Sequence, residues 1–397
     1  MPISPLSLPV KTVRIAAFGL LAGMALSWPL WNAAARRSFP LLPVWGDATP
    51  PGSGLWASLP AFLLAALALG AGVFPKNKWL DAALALGLAA LCLPDLNRLQ
   101  PWVWFYLLVL AVVLAGARGT DHRTANALRW LLAGVYFWGG FSKLTPYFAE
   151  DNFNWFLEAF SFTRSWGGHP AGGYALALVE TLFAAGLMWP KTRRWFRWLV
   201  IGFHTVVVIF LVKLDWNLVV IPWNVSMAGM VWVLFNPTPD PSPTGRGAAL
   251  PVAFVRMPGV KSPLPVGTGL VVGLLVWLAP FFQLFHLWPY PLSWQLYSNT
   301  QPEATFYYQG PVTFQRSNEQ VMWQELSFDD GSKLLLDDWA IRDLHVPVFS
   351  ATRAFRQVSQ YLCRNAAHPD STGLFILSVN RWDKAGERLE RIPCGGR

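Results

Sequence analysis

The chain has 397 residues, of which 54% are hydrophobic and only 13% charged. Water-soluble domains carry about 25% charged residues, so this composition excludes an ordinary globular protein. The net charge of +9 would suggest nucleic acid in a soluble chain, but the basic residues here fall in short stretches between apolar runs. There they act as topology determinants, and no nucleic-acid partner is expected.

Apolar runs long enough to cross about 30 Å of hydrocarbon are predicted at 13–31, 56–74, 80–95, 101–117, 127–145, 171–190, 195–214, 217–236 and 265–285. In the first, Lys11 and Arg14 precede an apolar stretch ending in Ala33, Ala34 and Ala35. That pattern resembles a signal peptide, although the many runs behind it favour an uncleaved anchor. The third and fourth runs are short, which suits tilted helices, interfacial segments or one re-entrant pair. Trp28, Trp31, Trp102, Trp104, Trp189, Trp195, Trp198 and Trp216 stand at run ends, where indole rings settle at the headgroup level.

Lys and Arg set the expected orientation. Lys76 and Lys78, then Arg118, Arg123 and Arg129, then Lys191, Arg193, Arg194 and Arg197, and finally Arg246, Arg256 and Lys261 all fall on one side. A cytoplasmic N-terminus follows from the positive-inside rule, with Arg36 and Arg37 as the exception. Nine crossings then leave the C-terminus outside the cytoplasm.

Residues 146–170 are too polar to span. The aromatic stretch 152–162 within them suits an interfacial helix on the outer surface. Residues 237–263 are rich in Pro and Gly and read as a flexible cytoplasmic linker. The expected organisation is a helical membrane domain over 10–288 that includes this linker, followed by a small extracytoplasmic α+β domain over 289–397. In the latter, strands are predicted at 321–328 and 333–339 around the turn Asp329-Asp330-Gly331-Ser332, with a helix over 351–365 and a strand over 374–382. The fold class is therefore an α-helical polytopic bundle of about nine spans with a small C-terminal α+β domain in a cell membrane.

The chain has three cysteines. Cys92 lies in an apolar run and reads as packing. Cys363 and Cys394 both fall in the outer region, where an oxidising compartment permits a disulfide. No CxxC, HExxH or Cys/His cluster occurs, so no metal site is expected. Phosphate-loop and dinucleotide fingerprints are also absent.

Ionisable groups at membrane depth are expensive, and so they mark candidate sites. Lys143 lies near the outer end of the fifth run, while Glu180 and His204 lie near the middle of the sixth and seventh. Pro222, Trp223 and Asn224 add a proline that frees a backbone carbonyl and a further polar group to the eighth. Each has a structural reading as well. Lys143 can snorkel to the headgroups, His204 can be a neutral core histidine, and Glu180 can be protonated or paired with His204. The alternative is one shared polar pocket in the outer half of the bundle.

Three stretches carry a resemblance: Tyr136 to Leu144, Glu180 to Pro190 with Phe203-His204, and the Pro222-Trp223 turn. A fourth, from Leu287 to Ser298, looks like the segment that leaves the last span in bacterial members of the same family. Together they resemble the transmembrane domain of vitamin K-dependent gamma-carboxylases and their bacterial relatives, the HTTM family. The resemblance implies a quinone- or hydroquinone-like lipid cofactor and a base role for Lys143. Glu180 and His204 would relay protons or hold the cofactor, which Trp223 and Asn224 would contact. Two hypotheses stand: an enzyme of this quinol-dependent kind, or a non-enzymatic maturation or export factor for a secreted peptide or protein. The lipid bilayer is a partner in both. A transporter is disfavoured by the lack of an internal repeat.

Overall fold

A computed structural model describes residues 6–32, 34, 37–52, 54–116, 121–236, 266–308, 313–316, 319–322, 333–366 and 368–394. The predicted 237–263 linker, residues 323–328 of the predicted 321–328 strand and the Asp329–Ser332 turn lie outside the described residues.

Each predicted apolar run lies largely within helix. The long helices are α1 (Leu8–Leu26), which the short α2 (Trp28–Trp31) follows, then α3 (Leu55–Val73), α4 (Lys78–Cys92), α5 (Pro101–Gly116) and α6 (Asp121–Phe141). After two short helices, α7 (Phe153–Leu157) and α8 (Ser161–Arg164), come α9 (Pro170–Met188), α10 (Arg193–Leu214) and α11 (Ile221–Leu234). The last apolar segment is α12 (Val266–Val271), a π-helical stretch (Val272–Leu278) and α13 (Ala279–Gln283). Four helices are long and apolar enough to cross a membrane: Leu8–Leu26, Leu55–Val73, Pro170–Met188 and Arg193–Leu214. Shorter apolar helices cover Pro101–Gly116, Leu218–Leu234 and Thr268–Gln283. The chain is thus a multi-pass helical membrane protein.

Local chemistry explains several helix starts. Pro9, Pro170 and Pro222 stand in first turns, where the missing N–H would have had no intrahelical partner. Asn77 caps α4 by accepting from the backbone N–H groups of Trp79 and Leu80 at 3.1 and 3.4 Å. Pro222 therefore starts α11 after a 3-10 turn, Leu218–Val220. It does not break a helix and frees no mid-span carbonyl, which corrects that expectation. The predicted interfacial helix over 152–162 is also different. Tyr147–Asn152 is a π-helical turn, and α7 and α8 are short pieces separated by a bend.

Beyond α13 the fold becomes α+β. Strands β1 (Glu303–Tyr307), β4 (Lys333–Leu335), β5 (Gly373–Asn380) and β6 (Asp383–Pro393) form an antiparallel sheet in the order β4-β1-β5-β6. Strands β2 (Thr313–Arg316) and β3 (Glu319–Met322) pair as a separate hairpin. Two helices, α14 (Leu336–Leu344) and α15 (Thr352–Cys363), accompany them. Alternation buries Ala304 and Phe306 of β1 and Leu374 and Ile376 of β5, which pack with Trp339, Phe355, Val358 and Leu362. The predicted 333–339 strand stops at Leu335. From Leu336 the apolar spacing becomes helical, and Leu336, Trp339, Ala340 and Leu344 are buried. The predicted helix over 351–365 and the strand over 374–382 are α15 and β5. Cys363 and Cys394 are bridged, with Cα atoms 5.2 Å apart, and Cys92 is free and buried.

This α+β region is bolted to one end of the bundle, here termed the junction end. The Asp343 carboxylate accepts from the N–H groups of Ser38 (2.8 Å) and Phe39 (2.5 Å) and from the Ser38 hydroxyl (3.0 Å). Asn97 Oδ1 accepts from Phe349 N at 3.0 Å, and Gln357 donates to Pro43 O and Gly46 O at 2.9 and 2.7 Å. Beneath these contacts Arg37 pairs with Asp95 at 2.8 Å, both side chains fully buried. Arg98 donates to the carbonyls of Leu30, Leu91 and Trp31. Arg37, an exception to the loop-charge pattern, is thus a neutralised structural charge at the junction. A charge committed in this way carries little topological information.

Candidate functional site

The site begins with two glycines near the end of α6. A Cβ on Gly140 would come within 2.7 Å of the Ala177 carbonyl oxygen, and one on Gly139 within 3.0 Å of Glu180 Oε1. The missing side chains therefore let α6 and α9 approach closely and bring Glu180 against the α6 backbone. Just past α6 the chain turns, with Ser142 N and Lys143 N donating to Trp138 O and Gly140 O at 2.9 and 3.0 Å. The turn sends the Lys143 side chain into the bundle rather than out to the headgroups. Its Nζ donates to both oxygens of Glu180, at 2.9 and 2.7 Å, and lies 5.9 Å from the centre of the Phe148 ring. Lys143 is 7% exposed and Glu180 8%.

His204, on α10, does not meet Glu180. Its Nδ1 lies 2.8 Å from Asn224 Oδ1, and its Nε2 lies 2.8 Å from the Tyr136 hydroxyl. Asn224 Nδ2 donates to Val220 O at 2.9 Å, so its oxygen is the atom turned to the imidazole. That makes Nδ1 the protonated nitrogen, and Nε2 accepts from Tyr136. The result is a fixed tautomer in a Tyr136–His204–Asn224 chain beside the Lys143–Glu180 pair.

Lys143, Glu180, His204, Trp223 and Asn224 all line one inner cavity of about 70 Å³, together with Tyr136, Phe203, Val207, Trp294 and Tyr297. All five residues singled out in the sequence therefore come together. Glu180 pairs with Lys143, while His204 is bound by Tyr136 and Asn224.

A second cavity, of about 290 Å³, lies above the first at the junction and shares Leu296 and Tyr297 with it. One wall comes from the bundle end (Gln100, Asn152, Trp216, Asn217) and the other from the α+β region (Glu303, Asp337, Asp338, Ile341). Burial and the neighbouring Glu303 and Asp338 carboxylates push the Asp337 carboxyl up to about 7, against a hydrogen bond from Val348 N that lowers it. Burial, with repulsion from Asp338 and Glu387, likewise raises Glu303. Three carboxylates and no Lys or Arg stand among the described residues that line this vestibule.

Several wall residues escaped the sequence reading. Trp294, Tyr297, Asn299 and Asn217 have φ of 62°, 62°, 55° and 46°. Non-glycine residues in the left-handed region are uncommon and often mark ligand clamps or switches. Nothing in the aromatic run Trp288–Ser298 signals that conformation. Among the described residues, no group of three His, Cys, Asp or Glu side chains is placed to hold a metal ion.

No curated protein and no solved structure matches the chain. The resemblance to the HTTM family does not hold, because the family found is a different one, and the Lys143 base role and quinol cofactor that the resemblance implied lose their support. Residues 121–217, from the start of α6 to just past α10, are similar to the family described as methylamine utilisation protein MauE, a match that includes Lys143, Glu180 and His204 but stops short of Trp223 and Asn224.

Proposed function

We propose that this chain is a non-enzymatic membrane accessory factor that assists the maturation or export of an extracytoplasmic protein. It holds a segment of that partner in the junction vestibule. One observation carries the reading: the 290 Å³ vestibule is walled half by the bundle and half by the α+β region, so a segment seated there contacts both at once. Its carboxylates favour a basic or amine-bearing segment through charge complementarity. The methylamine utilisation family that the α6–α10 stretch resembles takes its name from the use of an amine. Lys143, Glu180, His204, Trp223 and Asn224 form the polar floor beneath the vestibule. They hold α6, α9, α10 and α11 in register.

The reading includes nine crossings, a cytoplasmic N-terminus and an extracytoplasmic domain over 289–397. Support comes from the loop asymmetry and from the position of the α+β region, which continues directly from α13. A reporter active only outside the cytoplasm, fused after Asp338, is expected to work, and one fused after Pro243 is expected to be silent. A photo-crosslinking residue in place of Ile341, on the vestibule wall, is expected to capture an extracytoplasmic protein whose mature form is lost when this chain is deleted. Crosslinks to lipid alone, or a captured protein that matures normally in the deletion strain, overturn the reading.

A further inference from the structure

The β5–β6 hairpin closes through a two-residue loop, Arg381-Trp382, between the paired residues Asn380 and Asp383. Loops of this length favour Asn and Gly, so turn geometry does not account for an arginine followed by a tryptophan. The bundle accounts for the arginine. The Arg381 guanidinium donates to Gln283 Oε1 at 2.8 Å and to Gln295 Oε1, and both glutamines are buried. Gln283 is the last residue of α13. This contact therefore pins the hairpin tip to the end of the last apolar segment.

The tryptophan needs a different account. Its backbone N–H donates to Asn380 Oδ1 at 3.1 Å, which fixes the turn. Its indole stays 59% exposed, whereas Trp339 of the same region is 2% exposed. The Arg381 guanidinium carbon lies 6.0 Å from the centre of the Trp382 ring, so a single side chain separates this indole from Gln283. Around that helix end Phe281, Phe282, Phe285 and Leu287 are all exposed. The rings of Phe282 and Phe285 lie 6.0 and 5.5 Å from that of Phe281, so the three form one apolar cluster. In a chain that crosses a membrane, such a cluster at a helix end faces lipid, and an indole beside it belongs at the headgroup level.

We propose that the tip of the β5–β6 hairpin dips into the bilayer beside α13 and seats the Trp382 indole among the headgroups of the leaflet at the junction end. Lipid is the occupant because the tip is tied to a helix end whose outward side chains are already apolar. The Arg381–Gln283 contact sets the depth, and the α+β region gains a foothold on the membrane far along the chain from α13. The assignment depends neither on the partner proposed for the vestibule nor on which side of the membrane the junction end faces.

A nitroxide label reads the depth. Trp382→Cys is made with Cys92→Ala, which leaves only the bridged Cys363 and Cys394 besides the new thiol. Phe285→Cys serves as the lipid benchmark. Ser371→Cys, exposed just before the opposite end of β5, serves as the water benchmark. The full chain is placed in vesicles of phosphatidylcholine and phosphatidylglycerol, and label relaxation is measured with oxygen, which concentrates in lipid, and with a nickel chelate, which stays in water. The oxygen-to-nickel ratio at 382 is expected several-fold above that at 371 and close to that at 285. Arg381→Ala in the 382-labelled chain is expected to lower the ratio, because the tip is no longer held at depth. A ratio at 382 equal to that at 371 overturns the proposal. So does a nickel-accessible label at 285, since the end of α13 would then not meet lipid. Dipolar broadening at 382 that vanishes on dilution with unlabelled chain would put a second copy over the tip and overturn it as well. A ratio unchanged by Arg381→Ala overturns the depth-setting role of Arg381.

Discussion

Removing one partner of the Lys143–Glu180 pair is expected to destabilise the bundle far more than removing both. The contacts are 2.9 and 2.7 Å, and the two side chains are 9% and 10% exposed, so solvent screens the pair little. At an effective dielectric of about 20, unit charges at this separation attract by ~6 kcal/mol, most of which offsets desolvation. Lys143→Met strands a buried carboxylate and Glu180→Met strands a buried ammonium, each at a loss of about 3–5 kcal/mol. The double variant Lys143→Met/Glu180→Met keeps similar volume and buries no charge, so it is expected within about 2 kcal/mol of wild type. Unfolding of the detergent-solubilised chain by titration with a denaturing detergent, followed by far-ultraviolet circular dichroism, supplies the four free energies of the cycle. Additive losses would refute the reasoning, because the two charges would then not be stabilising one another. Harmless single substitutions would refute it too, since they would mean that solvent reaches both groups.

The bridge between Cys363 and Cys394 leaves Cys92 as the sole free thiol. Labelling of denatured, unreduced protein is therefore expected to modify one cysteine and labelling after reduction three. Cys363→Ser/Cys394→Ser is expected to lower stability of the α+β region by about 3–4 kcal/mol for a loop of 31 residues in the chain-entropy picture. Asp337 predicts a pH dependence. Its folded carboxyl titrates near 7, above the unfolded value of about 3.9, so the folded state holds the extra proton between those values. Stability is then expected to fall as pH rises from about 4 to about 7 and to level off above. Asp337→Asn is expected to flatten that slope in thermal unfolding measured across the range, and an unchanged slope would assign it to other groups.

Much of the bundle was legible because burial in a bilayer leaves a coarse signal. Apolar length alone located the long helices α1, α3, α4, α5, α6, α9, α10 and α11. What failed were local features whose sequence signal is ambiguous. Pro222 reads equally as a break or as a beginning, and only the 3-10 turn before it decides. The stretch 333–339 is apolar enough for a strand, yet after Leu335 the buried positions 336, 339, 340 and 344 follow a helical spacing. Asp338, in the first turn, then favours the helix through its dipole. Arg37 breaks a charge rule because the rule counts charges in loops and cannot see that Asp95, far along the chain, neutralises this one.

The polar site divides along the same line. That Lys143, Glu180, His204 and Asn224 share a pocket follows from the cost of isolated polar groups at depth, which leaves them few places except one another. Which pairs with which depends on distances of a few ångströms, and here two glycines decide. Because Gly139 and Gly140 carry no side chain, α9 lies close against α6, and the Glu180 carboxylate comes within reach of a lysine that has just turned back from the helix end. His204 sits one helix further on and is already held on both sides, by Tyr136 and Asn224, so it has no free nitrogen to offer a carboxylate. A bulkier residue at position 140 would push α9 away and return Lys143 to the choice an isolated helix-end lysine has, which is to reach outward. The glycine pair thus converts a residue that would report only on membrane position into the centre of a buried site.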